Sequence, residues 1–203
     1  TVQGTGTTFT TTADSAVVNG LLPATQYNFW IQSDCSVSTS SWVGPITVTT
    51  ACPSAFMAPY FEDFEGITLG ADQGTGWENC FYANPLSGYR WESEVSPTAN
   101  SSSTGPYYDH TLFGSTGGNY MYTEASFSGP DAMLYSPMID LSGLTQPALY
   151  FWYHMYGSTM SDLNVEIWDG TTWTNVLSIS GGQQTADTDP WLEAALPLQA
   201  YIG

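Results

Sequence analysis

The segment LNVEIWDG, residues 163 to 170, alternates Leu163, Val165 and Ile167 with Asn164, Glu166 and Trp168, then runs into Asp169 and Gly170. Successive side chains of a strand point to opposite faces, so a strict period of two assigns the three aliphatic residues to a core and the others to the far side. The Asp-Gly step tolerates the positive φ of a tight turn and predicts a hairpin. QYNFWIQS (26 to 33) places Tyr27, Phe29 and Ile31 on one face, and PITVTT (45 to 50) repeats the pattern with Ile46 and Val48. No window carries the spacing of an amphipathic helix, and 20 Gly and 12 Pro interrupt the chain too often for long helices. The expected fold is all-β, in two sandwich-like units. Their boundary is expected in ACPSAFMAPY, 51 to 60, where two prolines stand among small residues.

At 203 residues, 42% hydrophobic and 15% aromatic, the chain can bury a core. Its charge is one-sided, with 19 Asp and Glu against the single cation Arg90 and a net charge of -18. Nucleic acid is excluded as a partner, because phosphate binding needs lysines and arginines to displace counterions. Anionic membranes are excluded likewise. Such a surface attracts cations, and calcium is the one that oxygen ligands suit in an extracellular setting. Only 10% of residues are charged, so Thr, Ser, Asn, Gln and Gly make up much of the polar surface, as in secreted proteins. No apolar run is long enough to span a membrane; ALYFWYHMY (148 to 156) is short and contains a histidine. An exported chain of this kind is expected to have lost its leader or to belong to a longer precursor.

Catalytic patterns are missing. There is no GxSxG, no HExxH and no CxxC, and two histidines cannot supply the three nitrogens of an imidazole zinc site. Paired carboxylates are uninformative where acids are so abundant. His154, inside FWYHMYGSTM, is expected to fit between aromatic neighbours on one strand face, its nitrogens bonding adjacent strands. Arg90, between Tyr89 and Trp91, is expected to pair with a carboxylate. Three cysteines, Cys35, Cys52 and Cys80, suggest one bridge and one thiol.

LLPATQY (21 to 27), with Leu21, Pro23, Thr25 and Tyr27 at alternate positions, resembles the turn before strand F of a fibronectin type III domain. In that fold the tyrosine hydroxyl bonds back to upstream backbone, which implies a structural Tyr27. The resemblance covers residues 1 to 50 and implies a partial domain opening after the first strands. Cys35 and Cys52, beyond strands F and G, are placed like those of fibronectin-type repeats in large secreted proteins of Bacteroidota. This implies a Cys35–Cys52 disulfide with Cys80 reduced. Asp14-Ser15-Ala16 also fits a short O-glycosylation motif of that phylum.

Residues 51 to 59 would then be a linker. From residue 60 to 203, the blocks DFEG (63 to 66), GW (76 to 77), YRW (89 to 91), TGPYYDHT (104 to 111), YMYTEAS (120 to 126), AMLYSPMIDLSG (132 to 143), FWYHMYGS (151 to 158) and LNVEIW resemble, in order, the MAM domain of meprins, neuropilins and receptor tyrosine phosphatases. The resemblance implies a jelly-roll sandwich used for extracellular adhesion and protein association or self-association, without catalysis. MAM domains have a cation site near the FE pair, which implies calcium at Glu65 and Asp109, with Asp63 a weaker ligand and Glu62 weaker still. Alternatively these acids are solvated at a sheet edge, or Asp109 caps its own loop. Animal members usually carry cysteines where this chain has Tyr60 or Phe61 and Ala148 or Leu149. The family's last strands are expected beyond LQAYIG. Two further readings remain: a carbohydrate-binding module using Trp30, Trp168 and Trp173, or an accessory domain of a secreted hydrolase or protease.

Overall fold

Alternation becomes strand wherever a second strand satisfies the backbone. The computed structural model describes residues 6–98, 104–124 and 129–202, with no α-helix among them and one short 3-10 turn, Gln199–Tyr201. Among the described residues no helix is long and apolar enough to cross a membrane. The chain divides into two compact units, Thr1–Ser54 and Ala55–Gly203.

In the first unit, β1 (Gln26–Ile31) and β2 (Val43–Thr49) form an antiparallel pair. Phe29 faces Ile46, but the register then shifts, so that Ile31 meets Val43. Gly44 explains the break: its φ is +141°, and a Cβ there would lie 2.5 Å from the Phe29 carbonyl oxygen. Past the shift the expected alternation inverts, leaving Ile31 61% exposed while Trp30 is half-buried. Trp30 is therefore no open platform. The Tyr27 hydroxyl accepts a hydrogen bond from the Leu22 N–H at 2.9 Å, and Thr50 Oγ1 donates to the Leu22 carbonyl at 2.6 Å. Together these two bonds fasten the turn that enters β1.

The second unit contains β3 (Phe56–Met57), β4 (Gly70–Ala71), β5 (Tyr82–Asn84), β6 (Trp91–Val95), β7 (Asn119–Thr123), β8 (Met133–Tyr135), β9 (Ile139–Asp140), β10 (Ala148–Tyr153), β11 (Asp162–Trp168), β12 (Trp173–Ser180) and β13 (Leu192–Pro197). Strands β4, β6 and β7 form one sheet, and β5–β8, β10–β13 and β11–β12 pair antiparallel. Strand β3 pairs parallel with β9, which corrects the 51–59 linker expectation. Phe56 N–H and Ala58 N–H donate to the carbonyls of Met138 and Asp140 at 2.8 and 3.0 Å. Here the prolines bracket a strand, and Phe56 lies 5.2 Å from the Tyr60 ring.

Hairpin β11–β12 matches its sequence pattern. Leu163, Val165 and Ile167 are partly buried and their neighbours exposed, and Asp169 Oδ1 closes the turn by accepting from the N–H groups of Thr171 and Thr172, each at 2.8 Å. The tightest part of the core is Ile67, Trp77 and Ala83, against which Phe64, Phe81, Trp91, Met121 and Leu134 pack.

The cysteine expectation is overturned. Cys35 is an exposed free thiol, and Cys52 and Cys80 are each disulfide-bonded. Cys35 instead sits in a small polar turn, where its N–H donates to the Ser38 carbonyl at 3.0 Å beside the isolated Asp34–Thr39 bridge. In a peptide map of the unreduced chain, Cys35 should be alkylated at once. Cys52 and Cys80 should become alkylatable only after reduction.

Candidate cation site

Residues 117 to 119, Gly-Gly-Asn, are the hub on which two of the expected acids converge. Gly117 N–H donates to the Ser96 carbonyl at 2.9 Å and Ser96 N–H returns a bond to the Gly118 carbonyl at 2.9 Å, which fixes the segment ahead of β7. A Cβ on Gly118 would lie 2.2 Å from Asp109 Cγ and within 2.5 Å of both its carboxylate oxygens. The Asp109 side chain therefore occupies the space that any other residue at 118 would fill.

Asp109 is only 1% exposed. Its Oδ2 accepts from Thr111 N–H and its Oδ1 from Leu112 N–H, both at 2.8 Å, so it does cap its own loop. A carboxylate can accept about four hydrogen bonds, and burying one without a countercharge is costly. Arg90, the chain's one Lys or Arg, is ion-paired with Glu92 in β6.

Glu65 approaches from the other side of the hub. Its Oε1 accepts from Asn119 N–H at 3.0 Å, while Asn119 Nδ2 donates to the carbonyls of Phe64 and Glu65 at 3.4 Å. Asp63 and Glu62 behave differently. Asp63 Oδ1 accepts from Glu65 N–H at 3.1 Å and Glu62 Oε1 from Phe64 N–H at 2.7 Å, holding Phe64 at a φ of +63°. Both acids thus brace the turn that presents Glu65. Among the described residues no three His, Cys, Asp or Glu side chains lie close enough to hold a metal. A cation at this hub would take two carboxylates, with carbonyl and water oxygens completing its shell, which is within calcium's habits.

Asn119 and Gly118 went unread in the sequence, though GGNY before a strand is a legible sign of close backbone approach. Asp72 was also missed. It is 5% exposed, with Oδ1 accepting from Gly74 and Gly76 N–H at 2.8 and 2.9 Å and Oδ2 from Ala83 N–H at 3.0 Å. The spacing D-x-G-x-G was its signal.

His154 lies just past the end of β10, not within a strand, and neither ring nitrogen has a hydrogen-bond partner. The loop from 183 to 191 covers it: Gln184 Oε1 accepts from Met155 N–H at 2.7 Å, and the Trp191 ring lies 5.8 Å from the imidazole. Burial pushes its pKa below the usual 6.5, against the opposing pull of Asp189 and Asp187. Half-buried beneath this loop and beside the Trp191 ring, His154 is a packed residue.

The family description "MAM domain, meprin/A5/mu" matches residues 72–201. The chain belongs to the MAM domain family. It is 30% identical over 167 residues to neuropilin-1 of Xenopus laevis, covering 77% of this chain and 16% of that protein. It is 38% identical over 100 residues to neuropilin-1a of Danio rerio, covering 45% of this chain and 10% of that protein. The chain thus spans a small fraction of these relatives' lengths. No solved structure matches.

Two outcomes follow from this geometry. Gly118→Ala should destabilise the second unit by roughly 1–3 kcal/mol or more through the clash with Asp109, read as a lowered denaturant midpoint. His154 binds its proton more readily when unfolded, so its contribution falls as pH drops below about 6.5 towards the lower folded pKa. A His154→Phe variant should lose less stability than the parent across that acid window.

Proposed function

We propose that the chain is a non-catalytic extracellular association module of a larger secreted or cell-surface protein, with its second unit stabilised by calcium between Glu65 and Asp109. Membership of the MAM family supports the association role. The observation that carries the cation is Asp109, a fully enclosed carboxylate in a chain whose one cation is engaged elsewhere. Its partners are other extracellular proteins or a second copy. Phe61, 76% exposed, and Met57, 64% exposed, offer apolar contact near the start of the second unit.

The first unit reads as the later part of a fibronectin type III sandwich, supported by the bond between Tyr27 and Leu22. With Cys35 free, the cysteine pattern that suggested repeats from Bacteroidota loses its bridge.

A ligand that binds only the folded state stabilises it by mass action, about 2.7 kcal/mol at a hundredfold excess over Kd. The melting temperature should therefore rise with free calcium and fall with chelator at constant ionic strength. Glu65→Gln, on the exposed side of the hub, should flatten that response without unfolding the chain, and Asp109→Asn should abolish it. Coincident melting curves with and without calcium would sink the cation reading.

A further inference from the structure

The solvent face of hairpin β11–β12 combines an exposed aromatic pair with a row of exposed polar side chains. Register sets Trp168 opposite Trp173, Glu166 opposite Asn175 and Asn164 opposite Ser178. All six side chains lie on exposed positions, so one end of the face is aromatic and the rest is amide, hydroxyl and carboxylate. The two indoles stand 5.4 Å apart at 41° and keep 36% and 46% of their surface open to solvent.

Their arrangement is buttressed. Tyr135 meets Trp173 edge-on at 5.6 Å and 64°, and Tyr82, its cross-strand partner, stacks flat on Tyr135 at 4.5 Å and 8°. Rings held this way lose little freedom when a ligand arrives, which lowers the cost of binding. Beside the indoles, Asn175 Nδ2 and Ser178 Oγ both donate to Asn164 Oδ1, at 3.2 and 2.7 Å. This network sets donors and acceptors side by side in the open.

The geometry points to a binding site for a neutral oligosaccharide on this face, a role beyond protein association and independent of it. A pyranose ring has one face of C–H bonds, which lies on an aromatic plane, and a rim of hydroxyls, which needs adjacent donors and acceptors. The hairpin supplies both within three residue pairs. A protein-binding patch wants an apolar centre inside a polar rim, yet every exposed residue of β11 and β12 apart from the two indoles is polar. Charge narrows the ligand further. With a net charge of -18, Glu166 on the face itself and Arg90 paired to Glu92, sulfated or uronic sugars are repelled and uncharged ones are not.

The test is calorimetric titration of the full chain with cellohexaose, mannohexaose, xylohexaose and fully N-acetylated chitohexaose, with polygalacturonate as the anionic comparison. At least one neutral hexaose should bind saturably and polygalacturonate should not. Trp173→Ala should weaken that binding about tenfold or more. Asn175→Ala, a surface change that leaves the rings in place, should weaken it severalfold at an unchanged melting temperature. Absence of saturable binding to all four hexaoses overturns the site, as does equal binding by the parent, Trp168→Ala and Trp173→Ala. Concentration-dependent self-association abolished by Trp173→Ala, with no sugar bound, would assign the face to a second copy instead. Light scattering of the parent reads the association role separately, so the two ideas fail by different measurements.

Discussion

A buried carboxylate seated against a glycine is the contact on which the second unit's loops depend. Asp109 holds residues 109 to 112 through two backbone N–H groups and fills the space over Gly118. Gly118 in turn bonds Ser96 at the end of β6, and Asn119 opens β7 while binding Glu65. Residues 117 to 119 thereby join the Asp109, Ser96 and Glu65 segments at the start of β7. Because the chain has a single Lys or Arg, this anchoring relies on main-chain donors, whose directionality fixes geometry more tightly than a mobile ion pair does.

The same solution recurs along the chain. Asp140 accepts from Ser142 N–H, Asp189 from the N–H groups of Thr185 and Ala186, and Asp169 from those of Thr171 and Thr172. All three carboxyl groups are held below the usual range: the Ser142 side chain leads for Asp140, ahead of its N–H, and the N–H groups of Thr185 and Thr172 lead for Asp189 and Asp169. A depressed carboxyl stabilises the fold above its unfolded pKa and loses that contribution as pH falls through the folded value. An acidic composition that looks like a liability is thus the turn-forming chemistry of a β protein.

Local pattern was legible in the sequence and long-range closure was not. The alternation of Leu163, Val165 and Ile167 and the Asp169-Gly170 turn translate directly into β11–β12, because a hairpin needs only neighbours in sequence. Glu65 and Asp109 could be named from the family resemblance, and they do meet the same segment. Their meeting point could not, since Asn119 reaches Glu65 through a backbone-to-side-chain bond that spans 54 residues of sequence. Ile31 and Trp30 defeated strict alternation because a single glycine on the opposite strand shifts the register. Cys35 misled for a different reason: the fibronectin-type resemblance pairs it with Cys52, whereas Cys35 is a free thiol and Cys52 and Cys80 are disulfide-bonded.

Charge also governs how cation effects on this chain must be separated. At a net charge of -18, mutual repulsion penalises the compact state, so any salt relieves it in proportion to how far it shortens the screening length. That relief is shared by sodium, magnesium and calcium at equal ionic strength and grows smoothly with concentration. A cation held at Glu65 and Asp109 acts on two particular carboxylates, so its effect saturates with occupancy and distinguishes ions by size and coordination. The carboxylates of Asp169 and Asp189 already have N–H donors and lie in solvent, where diffuse screening is enough. Asp109 is cut off from that screening by its own burial. On the proposed cation site, specific and general cation effects would act on different acids, so removing the enclosed one would erase the first while leaving the second intact.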